Sequence, residues 1–203
     1  MVPSDDANNK GTLERIMTVF YFSDTHFAHK NIVKGCSSWP DTSKCRDFKT
    51  LADHNKALVD NINAMIMPQD TLYHLGDWSF GGVDNIKHFR DMIDCKNIHL
   101  ILGNHDEHIK HDSSLCNLFT SVRDMYTDYK KGIVMCHYPF QVWENNARGF
   151  IMLHGHSHNN VDHTDDGKIL DVCPEGHNNR PWAEDEVMAY MQTKPIVAKD
   201  HHK

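Results

Sequence analysis

The 203-residue chain is long enough for one domain with a full hydrophobic core and has little room for a second. Its formal net charge of -7, with histidines neutral, excludes a dedicated basic surface for nucleic acid, although bound cations could still attract a phosphate locally. Seventeen histidines are more than a globular chain of this length usually carries, and histidine is the commonest metal ligand.

The first half of the chain predicts strands that alternate with helices. A run rich in β-branched and aromatic residues indicates the first strand, and apolar residues at spacings of three and four indicate the helices. The predicted strands cover 17–23, 71–75 and 97–102, and the predicted helices cover 48–66 and 83–93. This order is typical of a parallel sheet with crossover helices.

The second half predicts mainly short strands, followed by one helix. The predicted strands cover 121–127, 132–136, 150–153 and 168–172. A last helix is predicted over 183–192, because Pro181 lies near its start and Asp185 and Glu186 favour its early turns. The sequence contains no internal repeat, linker or low-complexity segment, so it predicts one α/β domain.

Cysteine usage and apolar content bear on the compartment and the domain limits. The six cysteines form no CxxC pair, the N-terminal segment has no secretory pattern, and no stretch approaches the roughly 18 apolar residues that span a membrane. We therefore expect a cytoplasmic protein with reduced thiols and no membrane partner. The expected organisation is a flexible extension over 1–15, a single domain over 16–195 and a tail over 196–203.

Metal-ligating and proton-transferring residues follow the predicted strands. They are Asp24, His26, Asp77, Asn104, His105, His137, His156 and His158. The carboxyl ends of strands in α/β sheets are where ligands bind. In the stretch Gly103-Asn104-His105-Asp106, glycine permits a sharp backbone exit, the amide oxygen can coordinate a hard cation, and His105 can exchange a proton near neutral pH.

The proposed ligands predict more than one cation. Seven oxygen and nitrogen ligands, which are these residues without His105, exceed the need of one tetrahedral zinc ion. They suit two neighbouring cations bridged by a carboxylate. Such a pair can clamp a phosphoryl group and activate water.

The same residues carry a family resemblance that spans about residues 17 to 172. The motifs Asp24-x-His26, Gly76-Asp77, Gly103-Asn104-His105-Asp106, His137 and Gly155-His156-x-His158 occur in the order found in calcineurin-like metallophosphoesterases. The segments LGDWSF at 75–80 and CHYPF at 136–140 look most like small phage and bacterial members without a cap domain. The resemblance implies the calcineurin-like phosphoesterase fold, a central β-sandwich flanked by helices in four α/β/β/α layers.

The resemblance also implies roles for the residues. One divalent cation would be held by Asp24, His26 and His158, and the other by Asn104, His137 and His156, with Asp77 bridging them. A metal-bound hydroxide would attack phosphorus, Asn104 and His105 would bind the phosphate, and His105 would protonate the leaving oxygen. The mixed ligands favour Mn²⁺ for both metal ions, with Fe, Ni, Co or Zn as alternatives.

Departures from related subclasses narrow the substrate. The GDxVDRG pattern of protein phosphatases is absent after Asp77, and Phe80 stands where purple acid phosphatases carry a tyrosine ligand. We therefore expect a phosphodiesterase acting on nucleotide or small phosphodiesters. A phosphomonoesterase is one alternative, and a catalytically silent, metal-stabilised interaction module is another. The partner that orients His105 stays open, with Asp106 as a candidate.

Two further segments contain groups that suit a phosphate ester. Arg148 could bind a substrate phosphate and Trp143 could stack on a base, or the segment could be an exposed loop with one anchored tryptophan. The stretch His29-Lys30-Asn31 could likewise contact the substrate, or it could be an exposed loop without such a role. The expected partner is a phosphate-ester substrate such as a nucleotide. The sequence does not distinguish a monomer from a homodimer, although small relatives of this fold often pair.

Overall fold

The computed structural model describes residues 17–199, which form two β-sheets and five α-helices. The strands are β1 (Val19–Phe22), β2 (Thr71–His74), β3 (Asn97–Ile101), β4 (Ser121–Arg123), β5 (Met125–Asp128), β6 (Ile133–Cys136), β7 (Ile151–His154), β8 (Ile169–Asp171) and β9 (Trp182–Ala183). The helices are α1 (Leu51–Met65), α2 (Val83–Asp91), α3 (Glu107–His111), α4 (Ser113–Cys116) and α5 (Glu184–Gln192). The predicted N-terminal extension over 1–15 lies outside the described residues.

The first sheet has the strand order β4-β3-β2-β1-β9. Strands β1 to β4 are parallel, and β9 pairs antiparallel with β1. Helix α1 crosses from β1 to β2 and α2 crosses from β2 to β3, as the alternating pattern predicts. Helix α1 begins at Leu51 and not at 48, because the Thr50 side chain accepts a hydrogen bond from the Asp53 amide and caps the helix there.

The second sheet has the order β5-β6-β7-β8, with β5 antiparallel to β6 and the other pairs parallel. The prediction of a single strand over 121–127 is wrong. The segment forms two strands, β4 in the first sheet and β5 in the second, with Asp124 between them. Arg123 and Asp124 are consecutive polar residues at the point where the chain changes sheet, and the predicted strand ran through them. The sequence pattern also missed the short elements α3, α4 and β9.

Side chains alternate across each sheet and form separate hydrophobic layers. Phe20 and Phe22 of β1 pack under the helices on the outer face of the first sheet, whereas Tyr21 packs between the two sheets. The outer face of the second sheet is covered by Trp143 and Phe150 from the loop after β6. Two sheets flanked by helices confirm the predicted fold class.

Two whole-chain expectations can be compared with the described residues. All six cysteines lie within the described residues and are free. No helix within residues 17–199 is long and apolar enough to cross a membrane. The predicted site residues lie at the edge where strands of both sheets end.

Candidate metal centre

The sheet topology brings the eight predicted site residues to one place. Parallel strands β1, β2 and β3 end at the same edge of the first sheet, and β6 and β7 end at the facing edge of the second. Each predicted residue follows one of these five strands within four positions. Since backbone connections at strand ends leave the sheet, side chains from separate strands can converge there.

One group of converging ligands consists of Asp24, His26 and His158. The His26 Nε2 and His158 Nε2 atoms lie 3.5 and 3.4 Å from the Asp24 Oδ1 atom, and the two nitrogens are 3.2 Å apart. The ligand atoms of these three residues all lie within 4.8 Å of one another, which is compatible with a shared metal ion. These are the three residues that the family pattern predicts for one cation.

A second group lies on the other side of Asp77. The Asp77 Oδ2 atom is 3.5 Å from the His137 Nε2 atom and also 3.5 Å from the His26 Nε2 atom of the first group. The Asn104 Oδ1 atom is 3.1 Å from His137 Nε2 and 3.0 Å from His156 Nδ1. Asp77 therefore lies between the two groups, where the family pattern predicts a bridging carboxylate.

The residues fit divalent cations on an independent physical ground. Asp24 is fully buried, and its Oδ1 atom has no hydrogen-bond partner among the described residues. A buried carboxylate oxygen without a partner is costly unless a cation compensates it. Two imidazole nitrogens of the first group lie 3.5 and 3.4 Å from this oxygen, and imidazole is an ordinary metal ligand.

The backbone at the ligands adopts an uncommon conformation. Five of the proposed ligands have positive φ angles, namely Asp24 (48°), His26 (45°), Asp77 (58°), His156 (66°) and His158 (49°). Left-handed backbone in residues other than glycine costs free energy and persists only where the surrounding structure holds it. Such positions cluster at functional sites, so the backbone supports the same location as the side chains.

Glycines allow the loops at this edge to approach closely. A Cβ atom on Gly103 would lie 2.2 Å from the Asp77 Oδ1 atom, and one on Gly155 would lie 2.3 Å from the Asp24 Oδ2 atom. The sequence predicts that Gly103 permits a sharp backbone exit from the strand. Its nearest contacts show that the absence of a side chain matters because the ligand carboxylate occupies that space.

Two of the histidines are oriented by hydrogen bonds from their other ring nitrogen. His137 Nδ1 donates to the Leu75 carbonyl oxygen at 2.7 Å, and His158 Nδ1 is 2.9 Å from the Glu175 Oε1 atom. Such partners fix the ring orientation and the tautomer, and they leave Nε2 facing the centre.

Arg46 supports the first ligand group, and the sequence analysis missed it. This buried arginine donates to the Asp24 carbonyl oxygen at 2.6 Å, to the Thr25 carbonyl oxygen at 3.1 Å and to Glu175 Oε1 at 2.8 Å. Burial alone would raise the pKa of Glu175, but the Arg46 charge and the hydrogen bond with His158 outweigh it and lower the pKa to about 2. Arg46 lies in a polar loop whose sequence has no motif that could have identified it.

Asp106 does not orient the His105 ring. Its two carboxylate oxygens accept hydrogen bonds from the backbone amides of Gly103, Asp77 and Trp78 at 2.8, 2.8 and 3.0 Å. The buried carboxylate therefore holds two ligand loops together. The exposed His105 ring packs against Phe80 with centroids 4.6 Å apart, and no carboxylate of residues 17–199 hydrogen-bonds to it.

Arg148 and Trp143 are not brought to this centre. They line a separate cavity of about 470 Å³ on the outer face of the second sheet. Trp143 is buried, and its indole N–H donates to the Phe150 carbonyl oxygen at 2.8 Å. By contrast, His29 lines the cavity of about 260 Å³ at the metal centre, together with His105.

Comparisons with known proteins agree with this arrangement. Residues 17–203 match the family model described as calcineurin-like phosphoesterase. An uncharacterized protein of Methanocaldococcus jannaschii is 29% identical over 188 residues, which are 88% of this chain and 94% of that protein.

Two solved structures are also similar to this chain. A protein of unknown function from Aquifex aeolicus superposes with a TM-score of 0.62 at 21% identity, covering 86% of this chain and all of that one, and shows the same fold. The Pseudomonas putida nuclease MPE gives a TM-score of 0.40 at 15% identity, over 68% of this chain and 59% of that one.

Proposed function

The chain belongs to the calcineurin-like phosphoesterase family, and on that premise we propose that it hydrolyses phosphodiesters with two divalent metal ions. The observation that carries the proposal is the position of Asp77, whose Oδ2 atom lies 3.5 Å from a ring nitrogen of each ligand group. We assign Asp24, His26 and His158 to one ion, and Asn104, His137 and His156 to the other. When bound, the ions would supply the Lewis acidity that polarises a phosphoryl group and activates water.

His105 is the residue that we assign to proton transfer. Its ring is exposed, lines the cavity beside Asp77 and makes no hydrogen bond to a side chain of the described residues. Its amide donates to the Asp77 Oδ1 atom at 2.9 Å, which ties the His105 backbone to the proposed bridging carboxylate. A histidine in this place can donate a hydrogen bond to a phosphoryl oxygen and a proton to the leaving oxygen.

The composition of the cavity favours a diester over a monoester. Among the described residues its lining contains no lysine or arginine, and Arg46, which lies behind the ligands, donates four hydrogen bonds to protein acceptors. A phosphomonoester carries a second negative charge that a fixed cation would stabilise, whereas a diester carries one charge and a second organic group. The apolar surface of Ile32, Trp39 and Phe80 beside the ligands offers space for that group.

The proposal extends to the metal and the compartment. We propose Mn²⁺ because the ligand set mixes carboxylate, amide and imidazole groups. A cytoplasmic location rests on the six free cysteines, which are typical of a reducing compartment.

A paired assay tests the reaction. Metal-stripped protein is given bis-p-nitrophenyl phosphate or p-nitrophenyl phosphate, with and without Mn²⁺, and p-nitrophenolate release is measured. We expect Mn²⁺-dependent turnover with a higher kcat/KM for the diester. A higher value for the monoester would replace the proposal with a phosphatase. Absence of turnover with Mn²⁺, and also with Fe, Ni, Co or Zn in its place, would favour a metal-stabilised interaction module.

A further inference from the structure

An aromatic wall lines one side of the metal-centre cavity. It consists of Trp39, His29 and Phe80, none of which is a proposed ligand. The His29 and Phe80 rings are stacked with centroids 3.8 Å apart and an interplanar angle of 6°. The Trp39 ring meets His29 edge-on, with centroids 5.8 Å apart and an angle of 75°.

The wall is continuous with the proposed catalytic residue. The His105 centroid lies 4.6 Å from that of Phe80 and 6.4 Å from that of His29. A ligand whose phosphate lies at the metal centre could therefore reach the wall with a group attached to that phosphate. The wall lies on the side of the cavity that His26 and His158 border.

Trp39 is unusual among the four tryptophans in its exposure. It is 46% exposed, whereas Trp78 and Trp143 are 0% and 6% exposed and Trp182 is half-buried. Binding a ligand over a large apolar ring that is in contact with water lowers the free energy of the system. The open ring beside a polar centre therefore offers a place for a planar apolar group.

The loop that carries Trp39 is held by the stretch after His29. The Asn31 Oδ1 atom accepts hydrogen bonds from the Ser38 amide at 3.0 Å and the Ser38 hydroxyl at 2.9 Å. The Trp39 amide donates to the Ser37 hydroxyl oxygen at 3.1 Å. The Asn31 side chain thus ties together the two segments that carry His29 and Trp39, so the Trp39 ring needs little reorganisation to bind a ligand.

We propose that this wall is a stacking site for a nucleobase attached to the phosphodiester, which makes nucleotide diesters the substrate class. The inference rests on the proposed function, because the phosphate must lie at the metal centre. The wall contains aromatic faces and no charged side chain, so it would bind a flat ring without discriminating strongly among bases. Aliphatic diesters, such as those with glycerol, would gain less from the same surface.

Binding of non-hydrolysable ligands tests the wall without turnover. The ligands are the methylene phosphonate analogues of adenosine 5′-monophosphate and of ribose 5-phosphate, titrated into Mn²⁺-loaded protein and measured by calorimetry. The two ligands carry the same phosphonate and differ at C1, where the ribose analogue has a hydroxyl in place of adenine. We expect the adenosine analogue to bind about tenfold more tightly, in the range of one aromatic stacking contact.

Substitutions at Trp39 locate the preference. Trp39→Leu should bring the two dissociation constants within about twofold of each other, since it keeps apolar bulk and removes the ring. Trp39→Phe should retain most of the preference. Tyr129→Leu is the matched control, because Tyr129 is an aromatic residue 65% exposed and outside this cavity, and it should leave both constants unchanged.

The outcomes separate this inference from the proposed function. Equal affinity of the unmodified protein for the two ligands, or equal weakening of both by Trp39→Leu, would overturn the stacking site. A base preference that Trp39→Leu removes supports the site even if no diester is hydrolysed, and that result would overturn only the proposed reaction. A protein that hydrolyses diesters without a base preference would keep the reaction and lose the wall.

Discussion

Two cavities of the protein contrast in character. The larger, about 470 Å³, lies on the outer face of the second sheet and is lined by six apolar and five polar residues, Arg148 among them. The smaller, about 260 Å³, lies where strands of both sheets end and is lined by five proposed ligands and His105. Neither the size of a cavity nor a nearby arginine marks the candidate site. It is marked by converging strand ends, buried proposed ligands and left-handed backbone.

Substitution of Asp77, at the centre of the smaller cavity, is expected to change metal content and kcat more than any other substitution. Asp77→Asn removes the charge that we assign to bridging both ions, so we expect loss of at least one metal ion per chain and a fall in kcat of at least about a thousandfold. Elemental analysis of purified protein measures the metal, and the diester assay measures kcat. Unchanged metal content would remove Asp77 from the bridging role. Asp84→Asn, at the start of α2, is the control and should change neither quantity.

His105→Ala tests whether the smaller cavity performs chemistry. We expect kcat for the diester to fall by about 10²- to 10⁴-fold, because proton donation to the leaving oxygen is lost. Metal content should stay within experimental error of the unmodified protein, since His105 is not a proposed ligand. Full activity in this variant would exclude His105 as the proton donor.

Glu175→Gln changes a residue that lies behind the proposed ligands of the smaller cavity. Glu175 accepts from Arg46 at 2.8 Å and lies 2.9 Å from His158 Nδ1. We expect metal affinity to fall by about 10- to 100-fold, the usual effect of removing a partner of a ligating histidine. Competition with a chelator measures the affinity. Glu144→Gln, at the larger cavity, is the matched control, and an equal loss there would show a nonspecific charge effect.

The smallest effect is expected at the larger cavity. Arg148 is exposed, and its guanidinium contacts the Asn145 side-chain oxygen at 3.3 Å. We expect Arg148→Ala to change kcat/KM for the diester by less than about twofold, since surface side chains away from a site contribute little. A tenfold loss would connect the two cavities and restore Arg148 as a substrate-binding residue.

Local patterns in the sequence predicted the proposed ligand set and the outline of the fold. Residues such as Asp24 and His26 follow a strand directly, so a local pattern contains both the strand and the ligands that it positions. Alternating strands and helices likewise predict a parallel sheet, because crossover connections require that order. These predictions depend on neighbours in the chain, and neighbours can be read from sequence.

Further residues join the candidate centre through the packing of segments that are distant in the chain. Arg46 and Glu175 are 129 positions apart, yet they meet behind Asp24 and His158. Trp39 reaches the metal-centre cavity through a loop without regular structure, whereas Trp143 is buried elsewhere. Likewise, Asp124 separates strands of two different sheets, and the residue pattern does not state which sheet each strand joins. Contacts of this kind arise when distant segments pack together, and no local periodicity or spacing encodes them.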